Sequence, residues 1–195
     1  MSYLKKEGKN IITIVAPIVA KKIINKNILP PWEAEPYLLD QYLSDNENIR
    51  MVNIEDFIPH REPMRLINEV YELKEYSGVT GAVVKSTWPL CDGDSVDSLV
   101  LIEAIGQTFA LADGYNNKKK GKAIGNGWIV GIKSAEFKQS RIPVGTEIII
   151  SVKHRYSMDS YGVIDGSVKA GDDVLVVAVI QGIRMDDNDT VNFFV

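Results

Sequence analysis

Leu99-Val100-Leu101-Ile102-Glu103-Ala104-Ile105-Gly106-Gln107-Thr108-Phe109-Ala110-Leu111-Ala112 is the stretch that decides the fold. Its apolar side chains point in nearly every direction around a helical turn, and a helix that is apolar all round is a buried one. Asp97 or Ser95 stands where an N-cap is wanted, and Gly114 stands where a helix can end. Ala104, Gly106 and Ala110 keep the helix surface low, so that another backbone can come close. A curved sheet around the helix would need that. Glu103 is the one ionisable residue within the stretch, and Gln107 follows one turn later on the same face. An unpartnered buried carboxylate is expensive, so Glu103 either finds hydrogen-bond donors or stays protonated, because desolvation raises a carboxyl pKa. A protonated Glu is what an elimination needs in order to hand a proton to a leaving hydroxyl. The same two polar groups would equally serve to satisfy backbone groups of a neighbouring subunit.

Outward from this helix the hydrophobic period changes. Met64 to Leu73 and Gly78 to Thr87 are rich in branched residues and separated by the turn-like Lys74 to Ser77, which predicts two strands before the helix. Four strand-like runs follow it: Trp128 to Gln139, Glu147 to Tyr156, Gly162 to Lys169 and Val174 to Met185. Pro143-Val144-Gly145 and Gly171-Asp172-Asp173 are turn signals between them. The fold class is therefore α+β, one antiparallel sheet wrapped around one central helix in residues 51–195. Residues 1–50 read as an N-terminal helical extension and linker. They hold an amphipathic run from Ile11 to Ile28, a break at Pro30-Pro31, a short helical pattern from Glu33 to Leu43, and a polar stretch from Ser44 to Arg50. The extension either docks on a partner or packs on its own domain.

Composition removes several function classes. A formal charge of −4 argues against a broad nucleic-acid-binding surface, which needs an excess of Lys and Arg. A single cysteine, Cys91, excludes an intrachain disulfide, and with His60 and His154 as the two histidines a structural zinc site lacks its usual ligands. Ile11 to Ala20 after Lys5, Lys6 and Lys9 imitates a signal peptide, but Pro17 interrupts it and Lys21-Lys22 follow at once. No apolar run reaches the roughly 18 to 20 residues of a spanning helix. A cytoplasmic protein without membrane segment, metal or cofactor is expected.

Three segments, in order, carry a resemblance. Ile58-Pro59-His60-Arg61-Glu62-Pro63-Met64-Arg65-Leu66-Ile67-Asn68-Glu69-Val70 resembles the entry motif of the bacterial (3R)-3-hydroxyacyl-acyl-carrier-protein dehydratases of the hotdog fold. Leu99 to Gln107 resembles their central helix, with Glu103 on the catalytic acid and Gln107 on the helix glutamine. Ile129 to Lys138 and Pro143-Val144-Gly145 resemble the following strand and turn. The resemblance covers about residues 54 to 185. It implies a 3-hydroxyacyl or enoyl thioester bound beside the helix, an acyl carrier protein as the substrate's carrier, and pairing with a second hotdog chain edge to edge.

One departure matters. The family's second catalytic group is a loop histidine that removes the C2 proton, and an ungapped count from Glu103 puts Pro89 in its place. The loop Trp88-Pro89-Leu90-Cys91-Asp92-Gly93-Asp94 instead resembles a divergent subgroup encoded with aryl-polyene and related gene clusters. The small glycine that the family uses near the thioester carbonyl falls on Ser98. Glu103 is thus the catalytic candidate, with Gln107, Ser98 and His60 as substrate-binding candidates, His60 also being suited to stabilising its turn. Lys118, Lys119, Lys120 and Lys122 form a basic loop that could steer an acidic carrier protein. Asp92 and Asp94 are each expected to cap the helix or face water, Cys91 to be a buried inert thiol and His154 an exposed strand histidine. Three functions stay open: a dehydratase-like enzyme of fatty-acid-like or polyene biosynthesis, a non-catalytic subunit of a heteromeric dehydratase, and an acyl thioesterase. Either a homodimer or a heterodimer would suit them.

Overall fold

The computed structural model describes residues 52–185. The N-terminal extension read over residues 1–50 lies outside them. A 3₁₀ turn at Ile54–Asp56 leads through the Pro59–Pro63 segment into β1 (Glu69–Lys74) and β2 (Ser77–Val83). Two short strands, β3 (Cys91–Asp92) and β4 (Ser95–Asp97), precede the helix α1 (Val100–Lys119). Then come β5 (Asn126–Phe137), β6 (Arg141–Pro143), β7 (Glu147–Met158), β8 (Tyr161–Ala170) and β9 (Asp173–Met185). The long strands make one antiparallel sheet in the order β1-β2-β7-β8-β9-β5, and β3, β4 and β6 make a small second sheet. This is the sheet around a central helix that the sequence predicts.

Alternation places Ile148, Ile150 and Val152 of β7 and Leu175, Val176, Ala178 and Ile180 of β9 in the core with Leu101, Ala104, Ile105 and Leu111 of α1. Helix and sheet approach most closely at two glycines. A Cβ on Gly166 of β8 would stand 2.3 Å from Ile105, and one on Gly106 of α1 would stand 2.7 Å from Ile129 of β5. Register shifts in the β7–β8 and β5–β9 pairings mark bulges, which bend a strand and help a sheet to curve. A buried chain of hydroxyls ties α1 to β2. Thr108 donates to the Ala104 carbonyl at 2.8 Å, so its oxygen accepts from Thr80 at 2.7 Å.

Local expectations are corrected at three points, the helix end, the lysine segment and the helix start. Gly114 does not end the helix: it is buried within it, and a Cβ there would lie 3.2 Å from the Phe57 carbonyl oxygen. The helix continues to Lys119, and Gly121 beyond it takes the left-handed conformation at φ +70°. The lysine-rich segment is accordingly not a free loop, since Lys118 and Lys119 belong to the last helical turn. The small sheet of β3, β4 and β6 had no counterpart among the predicted strands. At the helix start neither Asp97 nor Ser95 supplies the expected N-cap: the cap position is Leu99, the Asp97 carboxylate accepts from Leu99 N–H at 2.9 Å just ahead of the first turn, and the Ser95 hydroxyl accepts from Arg141.

Candidate active site

The chain before β1 crosses α1 at its N-terminal end, anchored by the buried Leu66 and Ile67. Gln107 fastens this crossing. Its side-chain oxygen accepts from Leu66 N–H at 2.9 Å, and its amide nitrogen donates to the Met64 carbonyl at 2.8 Å and to Glu103 Oε1 at 3.0 Å. Gln107 is buried, so its polar atoms are held within its own chain.

The same crossing brings His60 to Glu103. Nε2 of His60 lies 3.1 Å from Glu103 Oε1, with the side chains 27% and 33% exposed, enough to open the pair to a ligand. Arg61 holds the turn that carries His60. One guanidinium nitrogen donates to the carbonyls of Ile58 and His60, each at 3.0 Å, and another donates to that of Glu55 at 3.2 Å. Around it Arg65 pairs with Glu55 and Glu62, and Lys85 with Glu62. The Lys85 hydrogen bond holds the Glu62 carboxyl below its ordinary range.

Glu103 does not stay protonated through burial. The His60 hydrogen bond is the strongest influence on it and lowers its pKa. Burial pushes the other way and the Gln107 bond lowers it again, leaving the carboxyl below the ordinary value. Of the two possibilities for a buried carboxylate, donors prevail.

Ser98 is placed differently from the substrate-facing position that the resemblance implies. It is buried, its hydroxyl donates to the Gln139 carbonyl at 2.7 Å, and its N–H donates to the Ser140 carbonyl at 2.9 Å. These bonds tie the helix start to the segment after β5. Of the lysines, Lys118 lies over the Phe57 ring at 4.9 Å and Lys120 pairs with Glu75 at 2.5 Å. Lys119 and Lys122 are exposed and make no ion pair among the described residues. Asp92 and Asp94 are exposed, and Cys91 is a half-buried free thiol. His154 is not simply exposed: it is half-buried and stacks on Phe109, with ring centroids 6.1 Å apart.

Sequence reading missed the contact between His60 and Glu103. No local signal announces it, since the two residues are far apart in the chain; the prolines bracketing His60 mark a fixed turn but not what the turn faces. A surface cavity of about 280 Å³ is lined by Lys138, Gln139, Ala170, Asp173, Val174 and Leu175, and none of the clustered residues borders it. We place the site at Glu103, where titratable groups converge, and not at that cavity. Among the described residues no group of three His, Cys, Asp or Glu side chains could hold a metal ion, and no helix is long and apolar enough to cross a membrane.

Solved structures with this fold include the dehydratase heterocomplex ApeI:P from Xenorhabdus doucetiae. That match has a TM-score of 0.66 at 17% identity and covers 71% of this chain and 94% of that one. The sigma28-regulated virulence protein Cj0977 from Campylobacter jejuni matches with a TM-score of 0.54 at 10% identity, over 74% of this chain and 92% of its own. The uncharacterized protein PH1136 from Pyrococcus horikoshii gives 0.51 at 10% identity, over 70% and 96%. At such identities they show the fold, the hotdog, and no more. Among curated proteins, none is similar enough to count as a match. The family described as ApeP-like, ApeP dehydratase, matches residues 52–193, a span that takes in the His60 turn, the whole of α1 and every strand. The chain therefore belongs to the ApeP-like dehydratase family.

Proposed function

We propose that this protein is a subunit of a 3-hydroxyacyl-thioester dehydratase, working on acyl groups held by an acyl carrier protein in fatty-acid-like or polyene biosynthesis. The observation that carries the reading is Glu103, a half-exposed carboxylate on the otherwise buried helix, gripped by His60 and Gln107. A charged group kept at the mouth of an apolar core is costly unless it serves a purpose, and proton transfer beside a thioester is the purpose that the family suggests. The free thiol of Cys91 suits a reducing cytoplasm as the place of action.

The reading includes a second hotdog chain. β5 is an edge strand of twelve residues, paired with β9 on one side, and it exposes Trp128, Ile129, Val130, Ile132 and Phe137. A long apolar edge is a template for another strand. The cavity of about 280 Å³ lies away from the Glu103 cluster, and a tunnel for an acyl chain beside that cluster would be completed by the partner. The relative from X. doucetiae is a heterocomplex by its own description, which favours a heterodimer with a second dehydratase-like chain over a homodimer. Lys119 and Lys122, with the adjacent Lys118 and Lys120, offer positive charge at the end of α1 for an acidic carrier protein.

One observation favours a second reading. A carboxylate held ionised could also activate water against the thioester, as a hydrolase would require. Mass spectrometry of a 3-hydroxyacyl carrier protein, incubated with this protein alone and with a second hotdog subunit, separates the cases. Loss of water supports the dehydratase, whereas loss of the acyl group identifies a thioesterase. No change in either mixture leaves a binding subunit.

A further inference from the structure

This inference rests on the dehydratase reading and concerns the direction in which the proton moves at Glu103. The resemblance gives Glu103 the acid's part. Geometry argues for the reverse. Oε1 of Glu103 receives two donors, Nε2 of His60 at 3.1 Å and the amide nitrogen of Gln107 at 3.0 Å. The Gln107 amide cannot present its oxygen to Glu103 instead, because that oxygen is fixed by Leu66 N–H and the nitrogen by the Met64 carbonyl. Nδ1 of His60 is buried without an acceptor among the described residues, so a proton there would be stranded. The ring proton is therefore assigned to Nε2, pointing at Glu103. Oε2 of Glu103 makes no hydrogen bond or ion pair among the described residues and remains open to a ligand.

Neighbouring charges do not undo this arrangement. Arg61 and Arg65 are drawn to Glu55, Arg65 and Lys85 to Glu62, and His60 is the titratable side chain in contact with Glu103. The lowered pKa of Glu103 agrees with two donors on one oxygen.

We propose that Glu103 is the base of this site, taking the C2 proton on Oε2, and that His60 is a positioning residue which, with Gln107, fills Oε1 with donors. In the elimination the C2–H bond breaks, its proton passes to Oε2, and its electron pair is held as the thioester enolate. As the C3–O bond breaks that pair becomes the second bond between C2 and C3, and the same carboxyl returns the proton to the departing oxygen. Water leaves, the thioester is untouched, and the carboxylate is restored. No second acid is required, which accounts for an elimination in a chain with Pro89 at the place of the loop histidine.

The test compares wild type with His60→Ala and His60→Gln, each with its hotdog partner if one is needed, after thermal melts confirm folding. His60→Asn, too short to reach Oε1, stands in should His60→Ala fail to fold. The first readout is NMR titration of ¹³C-labelled glutamate carboxyls, with Glu103 assigned through Glu103→Gln. Its midpoint should rise in His60→Ala and fall back in His60→Gln, whose amide can still donate. The second readout is the pH profile of water loss from a 3-hydroxyacyl carrier protein. The acid limb should move with that midpoint, and His60→Gln should regain most of the rate that His60→Ala loses. A midpoint indifferent to His60→Ala overturns the positioning role. So does a loss of about a hundredfold or more shared by both variants, the mark of a group that carries the proton itself. A wild type inactive in every assembly sinks the dehydratase reading and the base assignment with it, while the titration still decides what His60 does to Glu103.

Discussion

At Glu103 burial and hydrogen bonding pull in opposite directions, and the structure shows which prevails. Helical spacing was enough to put Glu103 and Gln107 on one face, since an i, i+4 pair needs only the helix. It could not show that His60 faces them, because that contact depends on the path of a non-helical turn and on the Arg61 clamp beneath it. A consequence for stability follows. Because the folded-state pKa of Glu103 is lowered from 4.5, its carboxylate favours the folded state above that value, and the contribution disappears as pH falls through the lowered folded value. Urea unfolding of wild type and Glu103→Gln should therefore differ most at neutral pH and converge on acidification. A gap that widens toward low pH would contradict the assignment.

Among the elements, the helix was the most legible and its end the least. An all-round apolar pattern identifies a buried helix, but Gly114 reads as a stop signal when its actual service is close packing against Phe57 and Ile124. Sequence does not reveal such a contact, whereas Gly121 with its positive φ is the usual kind of terminator. The six long strands were legible because their branched residues run in blocks between turn signals. The three short strands were not, being too brief to show a period. The link between α1 and β2 supplies a check on packing. Thr108→Val removes the acceptor for the Thr80 hydroxyl and should cost about 1–3 kcal/mol, the usual price of a buried orphaned donor. Thr80→Val leaves Thr108 bonded to Ala104 and should cost less, and adding it to Thr108→Val should recover part of the loss. Equal and additive losses in denaturant melts would show that the hydroxyls do not form one chain.

For the whole molecule the informative surface is the β5 edge. A strand that exposes apolar side chains on both faces and one row of backbone groups is an open template, and a second hotdog sheet would complete it. Val130→Lys together with Ile132→Lys should weaken assembly while leaving the melting transition of the single chain nearly unchanged, because both side chains are already exposed. Light scattering across a dilution series, with and without the partner, checks this. An assembly indifferent to both charges would place the interface elsewhere.

The central claim is that Glu103 is the reacting group of a dehydratase site and not merely a strut. The most direct measurement is mass spectrometry of a 3-hydroxyacyl carrier protein incubated with wild-type and Glu103→Gln protein in the same assembly. An amide can accept the His60 and Gln107 hydrogen bonds but can neither take up nor give up the substrate's proton. The account predicts that both proteins fold and assemble, with water loss per folded complex reduced by about a hundredfold or more in the variant. Water loss per folded complex that survives in Glu103→Gln would contradict it.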